Sequence, residues 1–368
     1  MNPVFFRIET DGTRTPVELR GRFAGPARTP CWIIGGGPSL AAISCDEIER
    51  SPVAKLSVNL CGAGLIRPTI WTAYDPTCRF HRSIYLDASI LKLLPSRRAM
   101  DLVPDSSFKV CESPNLVFFE REPQRGFHDF PPSAKNSAAV VDWQDSLIQA
   151  IELAWWLGFR DLYLVGCELR MRPEPEHVAL AAGKGLRYEP GELLKSFYDR
   201  CRSAGLAAET LERAAASKPY HFDETKSLAA AIQTDWHYFR VVQYLRLSRR
   251  AMSLAGLELI SVTPGSRLND FFPFRQADDV VDELLRRVGD PRTETTRGRY
   301  SQEKPSTCGI GPMRDFKPHN WPAGARSPTP AGKADLEGGD RVRTAGIERV
   351  RAALDELPEI AVAIDEVG

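Results

Sequence analysis

The sequence predicts an α/β fold, built on a mostly parallel sheet with helices on both faces. A helical insertion precedes the last strand, and a disordered C-terminal tail follows it. Three observations carry this reading. Short apolar runs such as Leu162-Tyr163-Leu164-Val165 alternate with helical patterns from residue 31 to about 288, as do strands buried on both faces and joined by crossover helices. The first run, Cys31-Trp32-Ile33-Ile34, passes straight into three glycines. Composition then changes twice, over residues 172–222 and after about 288.

The elements follow in chain order. Residues 1–30 alternate apolar and polar positions around Asp11-Gly12, which suggests an N-terminal hairpin or extension. The main α/β domain is expected over 31–288. Its strands are read at 31–34, 55–58, 69–74, 115–119, 161–166 and 257–262, and its clearest helices at 39–50, 142–157 and 224–255, the last with room for a break. Within 172–222, Pro173, Pro175, Gly183, Gly185 and Pro190 interrupt the pattern before helical stretches around 191–217. An insertion so placed suits a lid or a substrate-specific cap. Beyond it, the polar run Arg292–Arg297 and the prolines at 305, 318, 322, 328 and 330 predict a disordered linker over 289–344. Ile347, Val350, Leu354 and Leu357 then fall at helical spacing. They predict a helix over 345–364 that docks a protein partner or folds back on the sheet.

The 368 residues make one large or two small domains. With 48 basic against 48 acidic residues, nothing in the charge points to nucleic acid or an anionic membrane. The chain shows no signal-type N-terminal segment and no bilayer-length apolar run. Eight scattered cysteines without a C-x-x-C pair suggest a reducing, cytoplasmic compartment and no structural zinc.

The turn Gly35-Gly36-Gly37-Pro38-Ser39-Leu40 is the most informative segment. Glycine permits a sharp turn and close ligand approach, and proline suits a first helical turn. Free amides at a helix start would attract phosphate. It is not a P-loop, because no Gly-Lys-Ser/Thr follows, and it fits the dinucleotide pattern G-x-G-x-x-G poorly, because Leu40 stands where a small residue is needed. A tight turn that holds no ligand is the alternative reading.

Ligands of open parallel sheets bind beyond the carboxyl ends of the strands. Five such ends carry polar or permissive residues: Gly35–Ser39, Asn59, Asp75, Glu168 and Thr263-Pro264-Gly265-Ser266. Asn59 and Asp75 also suit helix caps or Asx turns, and 263–266 a plain turn. Their common edge favours one site.

Here the chain resembles a family. The glycine turn is similar to the G-x-G-P-S-L opening of the 6-hydroxymethylpterin pyrophosphokinase-like proteins, of the bacterial motility accessory factors, and of the small bacterial sialyltransferases. In the same order, Val58-Asn59, Trp71-Thr72-Ala73-Tyr74-Asp75, Asn136-Ser137, Leu157-Gly158-Phe159 with Leu162–Glu168, and Ile260–Ser266 resemble later motifs of these proteins. Glu168 stands where the family has Asp, and Val262 stands near a position often held by Asn or Cys.

The resemblance implies a Rossmann-like fold and a nucleotide-dependent transferase, glycosyltransferase-like, with a nucleotide-sugar donor and a glycan or small-molecule acceptor. Gly35, Gly36, Gly37 and Ser39 would face phosphate, Asn59 and Asp75 the nucleoside, and Thr263, Gly265 and Ser266 the phosphate or base. A base is needed to activate the acceptor, and histidine is the usual one. His237 and His221 are the candidates, with Tyr238 as a donor to phosphate. An aromatic stripe packed on the sheet is the plainer role for Trp236-His237-Tyr238-Phe239. A second reading is pyrophosphoryl transfer from ATP, with Mg2+ held by Asp75 and Glu168. A third is a non-catalytic nucleotide-binding or scaffold protein.

Overall fold

The computed structural model describes residues 3–25, 28–123, 126–132, 138–214 and 227–290. Eleven strands and eight α-helices lie within them. The strands are β1 (Phe5–Ile8), β2 (Arg14–Pro16), β3 (Pro30–Ile34), β4 (Ala54–Val58), β5 (Ile70–Thr72), β6 (Leu91–Pro95), β7 (Leu116–Phe119), β8 (Arg121–Glu122), β9 (Val140–Val141), β10 (Asp161–Val165) and β11 (Glu258–Ser261). The helices are α1 (Cys45–Arg50), α2 (Arg82–Leu86), α3 (Ser146–Leu157), α4 (Pro175–Ala182), α5 (Leu194–Ser203), α6 (Ala208–Ala214), α7 (Leu228–Leu254) and α8 (Ala277–Val288).

Nine strands form one mixed sheet in the order β11-β10-β3-β4-β5-β6-β7-β1-β2. The seven from β11 to β7 are parallel, and the β1–β2 hairpin adds to β7 antiparallel, with Phe5 opposite Phe119. The order reverses at β3. From there the chain moves outward through β4 to β7, then returns to lay β10 against the other side of β3.

The period-two alternation of side chains puts helices on both faces. Cys31, Ile33, Leu162 and Leu164 join the core that α3 and α7 cover, whereas Trp32, Ile34, Tyr163 and Val165 join the one covered by α1 and α8. Further along the sheet, Trp71, Leu94 and Phe118 pack with Tyr85 of α2. Both edges of the sheet are short. At one, β2 is exposed along its length, and Arg14 pairs with Glu120 at 2.7 Å. At the other, the segment after β11 folds back: Ser261 N–H donates to Pro273 O, and Arg275 N–H donates to Ser261 O.

All six expected strands form, as does the hairpin around Asp11-Gly12. Some expectations need correction. The helix read at 39–50 is a 3-10 turn over Pro38–Ala42 followed by α1, because Ile43 is extended (φ −102°, ψ 148°) and Ser44 restarts the chain. The helix read from 142 starts at Ser146, since Gln144 takes a left-handed φ of 53° and Asp145 caps the first turn. The helix read at 224–255 runs unbroken over Leu228–Leu254. β6 was not anticipated: Lys92 interrupts its apolar run and Pro95 closes it.

The insertion holds α4, α5 and α6 around a small core of Ala181, Leu194, Phe197, Tyr198, Cys201, Leu206 and Leu211. His177 is fully buried in it. Its Nε2 donates to Leu211 O at 2.7 Å, and its Nδ1 stands 2.7 Å from Tyr198 OH. Residues 215–226, with His221, and everything after Asp290, including the expected linker and the 345–364 helix, lie outside the described residues. Among the described residues, no helix is long and apolar enough to cross a membrane, and the seven cysteines are free thiols.

At the amino end of the sheet, two lysines are buried. Lys92 Nζ donates to Asp87 O (2.6 Å) and Ile90 O (2.9 Å), and Lys55 Nζ to Ser51 O (2.8 Å) and Val53 O (3.1 Å). Asp87 and Ser51 are the C-caps of α2 and α1. Each ammonium therefore sits at the negative end of the preceding helix. Burial still pushes Lys92 down to about 8.

Candidate functional site

The carboxyl ends of β3 and β10 meet at the point where strand order reverses, the position at which open α/β sheets bind ligands. The two turns there are packed on one another. Gly35 N–H donates to Val165 O and Gly37 N–H to Gly166 O, both at 2.8 Å. A Cβ on Gly35 would strike Gly166 O and lie 2.6 Å from Cys167 Sγ. A Cβ on Gly37 would fall on the carboxylate of Glu168, whose Oε1 accepts from Ser39 N–H at 2.6 Å. Glu168 Oε2 and Ser39 Oγ are buried with no hydrogen-bond partner.

The expected free amides are thus mostly engaged by the chain itself. The anion facing Ser39 is the protein's own Glu168, and the 3-10 turn supplies no long helix dipole behind it. Glu168 reaches across from the β10 turn to make this contact.

The loop after β11 ties down the same corner. Thr263 Oγ1 accepts from Cys167 N–H (3.0 Å) and donates to Leu164 O (3.1 Å), while Ser266 Oγ donates to Cys167 O (2.7 Å) and accepts from Leu268 N–H (3.1 Å). Both side chains are buried and engaged in holding the 166–168 turn. Gly265 takes φ +68°, and a Cβ there would lie 3.0 Å from Arg172 Nη2. Behind the turn, the buried pair Arg267–Asp235 (3.0 Å) joins it to α7. Asp235 also accepts from Met171 N–H (2.9 Å) and Leu194 N–H (3.0 Å), which anchors the insertion.

Asn59 and Asp75 stand further along the edge. Asn59 is left-handed (φ 53°). Its Nδ2 donates to Ser146 Oγ (3.1 Å), its Oδ1 accepts from Tyr74 N–H (3.2 Å), and its carbonyl accepts from Trp71 Nε1 (2.6 Å). It links the ends of β4 and β5 to the start of α3. Asp75 pairs with Arg79 at 2.6 Å.

β5 and β10 are three strand spacings apart, about 14 Å at ~4.8 Å each, so the structure does not bring Asp75 and Glu168 together as a ligand pair. Among the described residues, no group of three or more His, Cys, Asp or Glu could hold a metal ion. These two carboxylates, each held by a chain partner, do not fit the Mg2+ site expected of them.

His237 has a different setting. It lies on α7, with Nε2 2.9 Å from Asp145 Oδ2; its side chain is 34 % exposed, against 9 % for Asp145. Asp145 caps α3 through its other oxygen, which accepts from Ile148 N–H at 2.9 Å. A carboxylate only accepts, so His237 donates through Nε2, and in the neutral ring the lone pair lies on Nδ1. A buried acid thus orients a solvent-reachable imidazole at the first turn of α3. Burial, then Glu168, Cys61 and Asp145, push the Cys167 thiol well above its ordinary value. No family model, curated protein or solved structure matches the chain.

Tyr238 is half-buried against the main core, with its ring 6.4 Å from that of His237. The expected aromatic stripe is only partly packed: Tyr238 lies against the core, whereas Trp236 is exposed. The sequence reading missed Asp145 as the partner of His237, because the two are 92 residues apart. It also missed Arg97 and Arg121, which flank Tyr74. A polar residue before the apolar run of α3 was the available signal for Asp145; nothing local marks the arginines.

Proposed function

We propose that the chain is a nucleotide-dependent transferase of Rossmann-like type, glycosyltransferase-like in its chemistry. The observation that carries this reading is the Asp145–His237 pair, 2.9 Å apart at the carboxyl edge of a parallel sheet, beside its reversal point. His237 Nδ1 takes the proton of an acceptor hydroxyl as that oxygen bonds to the transferred carbon. The bond from that carbon to the donor phosphate breaks, and the nucleotide leaves with the electron pair. Asp145 holds the ring in one tautomer and offsets the imidazolium charge. Asn59 and the β3 turn line the same edge for the donor. For a donor phosphate to use the Ser39 amide, Glu168 must leave it.

The test is transfer or hydrolysis of CMP-, UDP- and GDP-linked sugars, followed by nucleotide release. His237→Asn is expected to lower kcat by about 10²–10⁴-fold, with nucleotide binding retained. An unchanged rate in that variant would remove His237 as base. Nucleotide binding without turnover would favour the non-catalytic reading.

A further inference from the structure

At the carboxyl ends of β5, β6 and β7 stands a cluster of cations that the transfer chemistry does not use. Arg121, just after β7, lies over the Tyr74 ring with Cζ 3.9 Å from the centroid. Arg97, just after β6, approaches the same ring with Cζ at 5.5 Å. Arg121 donates through Nη2 to Gln149 of α3, while its Nε and Nη1 are buried with no hydrogen-bond partner. Arg97 is exposed and forms the rim.

The nearby carboxylates are engaged elsewhere. Asp142 accepts from Tyr74 OH at 2.8 Å, Glu120 pairs with Arg14 and accepts from Ser96 Oγ, and Asp101 takes Arg98 at 3.4 Å. Burial pushes Arg121 down to about 10, and Arg97 and Arg98 push the same way against Tyr74 and Asp142. Buried guanidinium N–H groups without acceptors are costly, and two guanidiniums on one ring repel. A planar or tetrahedral oxyanion relieves both, since the guanidinium fork matches that geometry.

We infer that Arg97 and Arg121, over Tyr74, form an anion pole of this edge that seats a phosphate or carboxylate group of the acceptor. Gln149 and Asp142 attach the pole to the same end of α3 that carries Asp145, the partner of His237. The glycine turn, closed by Glu168, is three strand spacings from β6, about 14 Å, which leaves the two poles separate. The word acceptor rests on the transferase reading; the anion pole itself does not.

The experiment is isothermal titration of the full chain with inorganic phosphate and with glucuronate, against potassium chloride at matched ionic strength. Saturable binding of one or both anions is expected, weakened at least tenfold in Arg97→Ala and in Arg121→Gln. Phosphate alone points to a phosphorylated acceptor, glucuronate alone to an acidic sugar. No saturable binding to folded wild type overturns the pole, as does binding unchanged in Arg97→Ala, the exposed position that decides if Arg121→Gln does not fold. Displacement of bound phosphate by a nucleotide overturns the assignment to the acceptor. Anion binding that depends on Arg97, in a chain that neither binds nor turns over any nucleotide sugar, removes the transferase reading and leaves the pole standing.

Discussion

The two ends of the sheet bury cations in opposite ways. At the amino end, Lys55 and Lys92 have two carbonyl acceptors apiece, one of them the C-cap of α1 or α2. At the carboxyl end, Arg121 has one acceptor and two idle donor nitrogens. A buried charge by itself therefore marks nothing. A buried charge whose donors lack acceptors marks a place where something else belongs. The glycine turn, also at the carboxyl end, is mixed: the amides of Gly35, Gly37 and Ser39 are engaged within the chain, whereas Ser39 Oγ and Glu168 Oε2 are not.

That contrast can be broken at the turn first. Gly35→Ala drives a methyl into the backbone carbonyl of Gly166, which cannot yield. We expect a loss of about 4 kcal/mol in denaturant unfolding. A loss below about 1 kcal/mol would show that the two turns are not packed as described.

Lys92 gives the next effect, and it depends on pH. Its folded value of about 8 lies below the ordinary 10.5, so between these values the unfolded chain binds the extra proton. The burial cost is thus complete below pH 8 and relieved as pH rises toward 10.5. Unfolding free energy should rise by about 2 kcal/mol from pH 7 to 10. Lys92→Met should lose most of that rise. A flat wild-type profile would mean that the ammonium keeps its proton in the fold.

Gly37→Ala meets only the end of a flexible side chain. It should cost about 1–2 kcal/mol and be restored by adding Glu168→Ala. Failure of the second change to restore stability would locate the strain in the backbone instead. The smallest effect belongs to the arginine pole. Arg121→Met removes an under-paired charge and should change stability by less than about 1 kcal/mol, although it abolishes anion binding. A large loss there would make Arg121 a scaffold residue like Lys92.

The sheet was legible because its strands are short apolar runs, and the six read from the sequence all form. β6 escaped because Lys92 is buried through carbonyls that no sequence pattern reveals. The helix after the glycine turn was read too long, since one extended residue, Ile43, divides it. At the candidate site, the loops were legible but their partners were not. Gly37 and Glu168, or Asp145 and His237, meet only once β10 returns beside β3 and α7 is laid beside α3. Arg97 and Arg121 carry no motif and come together only through the order β5-β6-β7.

The borders of the sheet have a consequence for how copies of this chain can meet. An open strand edge is a template on which another chain can add by backbone pairing and begin an aggregate. Here β2 is three residues long, carries Arg14, and ends in Pro16, which has no N–H to offer. Across the sheet, β11 is four residues long, and Ser261 already bonds to Pro273 and Arg275. Neither border offers a long run of unpaired backbone. Among the described residues, association through these two borders is therefore blocked by short strands and by backbone groups already engaged.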